Sequence, residues 1–158
     1  MMRSKLFIVF ILLLLLPFSL VTAKESWTAK QQEVLASMEL LSATTAPKGT
    51  GADDYAAVLA EGFSRWTTGS SIINSKQTWV DGVRSWFDDG WRVVDRDQEV
   101  IEISVVGEYA FTRRIVEETY LGPGGESSVS KAGLAETWVH SEGDWLLLRV
   151  NADVLSSQ

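Results

Sequence analysis

Glu136 and Arg149 are the two side chains of this sequence most able to act on each other and on a ligand. They flank Ser141-Glu142-Gly143-Asp144, where Glu-Gly suits a two-residue hairpin turn because Gly adopts positive φ without a Cβ penalty. Such a turn sets Ser141 opposite Asp144. Strict alternation then sets His140 against Trp145, Trp138 against Leu147, Glu136 against Arg149, and Leu134 against Asn151. Two roles are open to Glu136 in that register. Among aromatic rings a carboxylate resists ionisation and can serve as a general base for enolisation or dehydration. Beside a guanidinium it forms a cross-strand ion pair worth about 0.2–1 kcal/mol and stays charged, which makes a poor base. The pairing as drawn favours the second role.

Arg113 and Arg114 are consecutive, so on a strand they point to opposite faces. One is placed to meet Glu136 or Glu118 on the inner side, and the other faces solvent. Seven tryptophans are heavy use of a large ring. Trp27, Trp79 and Trp86 fall on helical stripes and pack a core; Trp66, Trp86 and Trp138, with Tyr55, are the candidates to line a pocket for a flat, mostly apolar ligand.

Other chemistries are excluded by composition. With no cysteine, thiol catalysis, disulfides and cysteine-ligated metals are out, and a single histidine leaves too few ligands for a zinc site. That residue, His140, sits beside a surface turn with no nucleophile elbow to serve, and it is expected to be exposed. No metal and no cofactor are expected. Without Arg3 and Lys5, twelve basic residues stand against 21 acidic ones, a formal charge of −9. No basic patch exists to bind nucleic acid or an anionic membrane surface.

The elements that must position these residues begin after an N-terminal leader. Arg3 and Lys5 precede an unbroken apolar run from Leu6 to Leu16, Pro17 ends it, and Val21-Thr22-Ala23 suits a signal peptidase. Cleavage after Ala23 is expected to release an exported domain over residues 24–158, with no membrane contact once the leader is gone. Retention of the segment as an anchor is the alternative. From Ser26 the spacing of Trp27, Gln31, Val34, Leu35, Met38 and Leu41 predicts an amphipathic helix. Asp53 and Asp54 open a second helix with Tyr55, Val58, Leu59 and Phe63 on one side. Asn74 or Ser75 caps a third, with Trp79, Val80, Val83, Trp86 and Phe87 as its stripe and Gly90 just past its end. Strands follow over 91–94, 99–106, 108–121, 127–140 and 145–154, broken by Gly122-Pro123-Gly124-Gly125 and by the Glu142-Gly143 turn. Three helices and then a curled antiparallel sheet make an α+β fold.

The run from Leu134 to Trp145, Leu-Ala-Glu-Thr-Trp-Val-His-Ser-Glu-Gly-Asp-Trp, resembles the terminal hairpin of the nuclear transport factor 2-like superfamily, in its SnoaL-like branch. Gly107-Glu108-Tyr109-Ala110 is similar to that group's lead-in to its middle strand. The resemblance implies a cone-shaped α+β barrel with a pocket between the concave sheet and the helices, often in a homodimer. It implies a small apolar or aromatic ligand. Isomerase, dehydratase or cyclase chemistry is one alternative, with Glu136 or Asp153 as base and Tyr55 or Arg114 as electrophile. A purely structural dimer or assembly module is another. Relatives often carry a histidine on the final strand where this chain has Asn151, and a serine where it has Asp153. An amide orients a ligand but is no base, so Asn151 joins Arg149 and Arg114 as a binding candidate.

Overall fold

The computed structural model describes residues 27–155. The leader segment over residues 1–23 and the expected cap at Ser26 lie outside the described residues. Helix α1 spans Ala29–Thr44, and Thr28 and Gln31 cap it reciprocally, each side chain accepting the other's backbone N–H. Val34, Met38 and Leu41, three of the residues on its apolar stripe, are buried. Helix α2 covers only Ala52–Ala57, and the chain is extended from Leu59. The expectation that Leu59 and Phe63 continue this helix is therefore corrected. Leu59, Ala60 and Phe63 are buried as strand residues in β1, Leu59–Thr67.

After the short β2, Ile73–Ser75, comes α3, Lys76–Asp88, whose N-terminal N–H of Thr78 is capped by Ser75. Gly90 lies just beyond it at φ 91°, a backbone that side chains with a Cβ resist. β3 is one strand, Arg92–Val106, where two were expected; bulges near Val93 and Val100 carry it across the weakly patterned middle. β4 (Tyr109–Leu121), β5 (Ser127–Ser141) and β6 (Asp144–Val154) complete the sheet.

The sheet has the order β2-β1-β6-β5-β4-β3, and every neighbouring pair is antiparallel except β1 with β6. It curls into an open α+β cone with β2 and β3 as its edges. The helices pack on the concave side. Val34, Met38 and Leu41 of α1 and Val80 of α3 meet Ile103, Ala110, Trp138, Leu147 and Val150 of the sheet in one core. β1 and β2 intervene between α2 and α3, so the helices do not all precede the sheet.

The terminal hairpin turns at Glu142 (φ 55°) and Gly143 (φ 98°), the two positive values a type I′ turn requires. His140 pairs with Trp145 and Trp138 with Leu147, as expected. A bulge at Leu148 then shifts the register, so that Thr137 faces Arg149 and Glu136 faces Val150. The expected Glu136–Arg149 pair does not form. One extra residue reverses which side chains of β6 point inward.

Candidate ligand cavity in the cone

A cavity of about 450 Å³ lies between the concave face and the helices. Alternate residues of β4, namely Arg114, Val116, Glu118 and Tyr120, form one wall, because successive strand residues point to opposite faces. Leu134 and Glu136 of β5, Val150 of β6 and Arg65 of β1 extend that wall; Tyr55 of α2 and Trp79, Val83 and Trp86 of α3 close over it.

Two ion pairs are built into the wall. Arg114 Nη2 lies 2.8 Å from Glu136 Oε1, with the side chains 6% and 1% exposed. Thr112 Oγ1 donates to the other oxygen of Glu136 at 2.9 Å, and Arg114 Nη1 donates to Gln98 Oε1 at 2.8 Å. Both carboxylate oxygens are thus occupied, as a buried charge requires. Nearer the C-terminus of α1, Arg96 Nε donates to Glu118 Oε1 at 2.6 Å, while its other nitrogens reach the Ser42 carbonyl and Thr45 Oγ1 at 2.7 and 2.8 Å. A cation there complements the negative end of the helix dipole. Tyr120 donates to Glu118 Oε2 at 2.6 Å. Burial first, and then the Glu118 charge, push the Tyr120 phenol well above its ordinary value of 10.0.

A third cluster lies where β1 meets α2 and α3. Trp79 Nε1 donates to Tyr55 Oη at 2.9 Å, and the Arg65 guanidinium stacks on the Trp79 ring 4.4 Å from its centroid. The depth of the Tyr55 hydroxyl raises its pKa above 10.0, so the phenol keeps its proton at neutral pH.

Of the residues singled out from sequence, Tyr55, Trp86, Arg114 and Glu136 line this cavity. Trp138 does not; it is wholly buried in the core, its Nε1 donating to Thr112 Oγ1 at 3.4 Å. Trp66 stands outside it, half-buried, with Nε1 donating to the Ser70 carbonyl at 2.9 Å. Arg149, Asn151 and Asp153 are exposed on the convex face, turned there by the bulge. Arg149 donates to the carbonyls of Gly62 and Leu148, and Asp153 accepts from Thr68 Oγ1. Arg149 and Asn151 border a smaller hollow of about 180 Å³ on that convex side. His140, expected in solvent, is half-covered, bonded to Glu108 at 2.9 Å with its ring 5.1 Å from that of Trp145.

Arg65, Arg96 and Tyr120 were not foreseen at a site. Arg96 was legible in principle, since Arg96, Gln98 and Val100 alternate inward once β3 is read as continuous. Among the described residues no group of three or more His, Cys, Asp or Glu side chains could hold a metal ion, and no helix is long and apolar enough to cross a membrane.

The fold is that of the nuclear transport factor 2-like α+β cones. Solved structures of this kind superpose on more than four-fifths of the chain at low identity. A ketosteroid isomerase-like protein from Erwinia carotovora matches with a TM-score of 0.64 and 14% identity, over 83% of this chain and 100% of the other. An NTF2-like protein of unknown function from Prochlorococcus marinus gives 0.65 and 9%, over 83% and 97%. A Ca/calmodulin-dependent kinase II association-domain-like protein from Exiguobacterium sibiricum gives 0.65 and 15%, over 85% and 99%. No protein-family model and no curated protein matches the sequence.

Proposed function

We propose that this chain binds a small, mostly apolar molecule in its cone, and that its inward carboxylates serve the cavity wall rather than a reaction. The observation that carries this reading is the state of Glu136 and Glu118. Each lies in the cavity wall, and each has both oxygens engaged by donors of the protein. A general base must reach a substrate proton with a free oxygen. Asp153, the other candidate base, is on the convex face. Leu134, Val116, Val150, Trp86 and Val83 supply an apolar lining of the kind that small-molecule sites use.

The enzymatic alternative, in the sense that the Erwinia protein is called isomerase-like, requires one of these carboxylates to release its partners when substrate enters. Assembly is the other alternative. We include in the proposal that residues 1–23 direct export. We also include that two copies pair through the convex face, where Tyr109 and Phe111 are 47% and 48% exposed.

Native mass spectrometry of protein recovered from its own compartment tests the binding reading. An adduct of a few hundred daltons that is lost on denaturation is expected. A bare chain that also fails to bind the neutral probe 1-naphthamide, followed by tryptophan fluorescence, would overturn it. The same sample reports the N-terminus, expected near Lys24, and whether two copies associate.

A further inference from the structure

We infer that the molecule held in the cone carries one carboxylate, and that Arg65 and Tyr55 receive it. The inference rests on the cavity reading above and names the ligand class it leaves open. Its basis is a count of charges and donors. The charged side chains lining the cavity are Arg65, Arg96, Arg114, Glu118 and Glu136, three cations against two anions. Arg96 is matched by Glu118 and Arg114 by Glu136. Arg65 has no ion-pair partner among the described residues, and its Nε is buried without an acceptor.

Arg65 is half-buried, and a guanidinium partly withdrawn from water without an anion lacks a partner that stacking on Trp79 replaces only in part. The neighbouring phenol adds a second open donor. Tyr55 Oη accepts from Trp79 Nε1, and among the described residues no acceptor meets the phenol's own proton. Arg114 Nε is likewise buried without an acceptor. The polar side of the cavity thus has donors in surplus, and a ligand that completes it brings acceptors and one negative charge. A carboxylate fits: it takes a guanidinium and a hydroxyl together, and a single charge neutralises the single excess cation. A phosphate monoester would bring close to two charges and over-compensate. The apolar lining fits the remainder of the molecule, so the class is a small aromatic or alicyclic monocarboxylic acid.

The test compares 1-naphthoate, its isosteric amide 1-naphthamide, and 1-naphthyl phosphate on the full chain by fluorescence titration. Wild type should prefer the carboxylate to the amide by about tenfold or more, the share expected of a charge-assisted hydrogen bond. The phosphate should bind more weakly than the carboxylate. Arg65→Met should abolish the preference while binding the amide within about threefold of wild type, and Arg65→Lys should keep part of it. Arg113→Met, on the exposed convex face and paired to Glu102, should change nothing. Amide binding without a carboxylate preference in wild type overturns this inference and leaves the cavity reading standing. Binding of neither probe overturns the cavity reading itself. A preference that survives in Arg65→Met shows that another cation receives the acid and refutes the assignment to Arg65. The wild-type comparison decides the class even if a variant fails to fold.

Discussion

Glu136 of β5 and Arg114 of β4 meet at 2.8 Å across neighbouring strands, Glu136 standing opposite Thr112 and Arg114 opposite Leu134 in the β4–β5 ladder. Because both are almost wholly removed from water, truncating either leaves a charge stranded. Glu136→Ala and Arg114→Ala should each lower stability by about 3–5 kcal/mol, and the double variant should lose clearly less than the two together. Glu136→Ala and Arg149→Ala should instead add within about 0.5 kcal/mol. Urea midpoints at pH 7 measure both cycles. Coupling to Arg149 rather than Arg114 would mean that the bulge in β6 is absent in solution.

The tryptophans separate by depth. Trp138 and Trp145 are 0% and 4% exposed in the core, so Ala at either position should cost about 3–5 kcal/mol. Trp66→Ala, at a half-buried ring outside the cavity, should cost about 1 kcal/mol, as ordinary point changes do. Thermal or urea denaturation that ranked Trp66 beside Trp138 would contradict the packing described.

The hairpin turn offers a backbone test. Gly143 at φ 98° has open space around it, so Gly143→Ala is penalised by conformation alone, by about 1–2 kcal/mol. Gly62→Ala meets only Leu148 Cδ1 at 3.8 Å and should change stability much less. Glu142→Asn should raise the melting temperature, since Asn tolerates the φ of 55° that Glu142 is held in. Equal effects of the two alanines would refute the turn assignment.

Alkaline pH should expose the buried phenols. Tyr55 and Tyr120 both have a pKa raised in the folded state above the ordinary 10.0. Their contribution is complete below that value. It declines as pH rises beyond it, because the unfolded chain loses these protons first. The urea midpoint should fall above about pH 10, and Tyr120→Phe should fall less steeply than wild type. An unchanged slope in that variant would show that Tyr120 is open to water.

The parts of the fold read from sequence were those in which one pattern ran unopposed. The stripe from Val34 to Leu41, the stop at Gly90 and the Glu142-Gly143 turn all follow from local chemistry and stand where they were expected, and of the two caps open for the third helix, Asn74 and Ser75, the structure uses Ser75. Leu59 and Phe63 were misassigned because a four-residue spacing suits a helix face and, being even, equally suits two inward residues of one strand. The site was half-legible for a related reason. Strand parity put one of Arg113 and Arg114 on the inner face without saying which, and nothing local to Trp138-Val139-His140 or Leu146-Leu147-Leu148 announces a bulge. Arg65 could not be found at all, because its place in the cavity depends on β1 lying parallel to β6, a pairing between residues far apart in the chain.

The bulge also fixes where the chain can change length. Leu148 is the residue of β6 in excess of its β5 partner, so deleting it would straighten the strand and still leave Val150 and Ala152 facing the core. Deleting Asn151 instead would move Ala152 into an outward place and bring Asp153 inward beside Leu134. Of the single-codon losses in this strand, one at Leu148 or immediately beside it is therefore one that the cone should survive, whereas loss of Val150, Asn151 or Ala152 would turn a polar side chain into its interior.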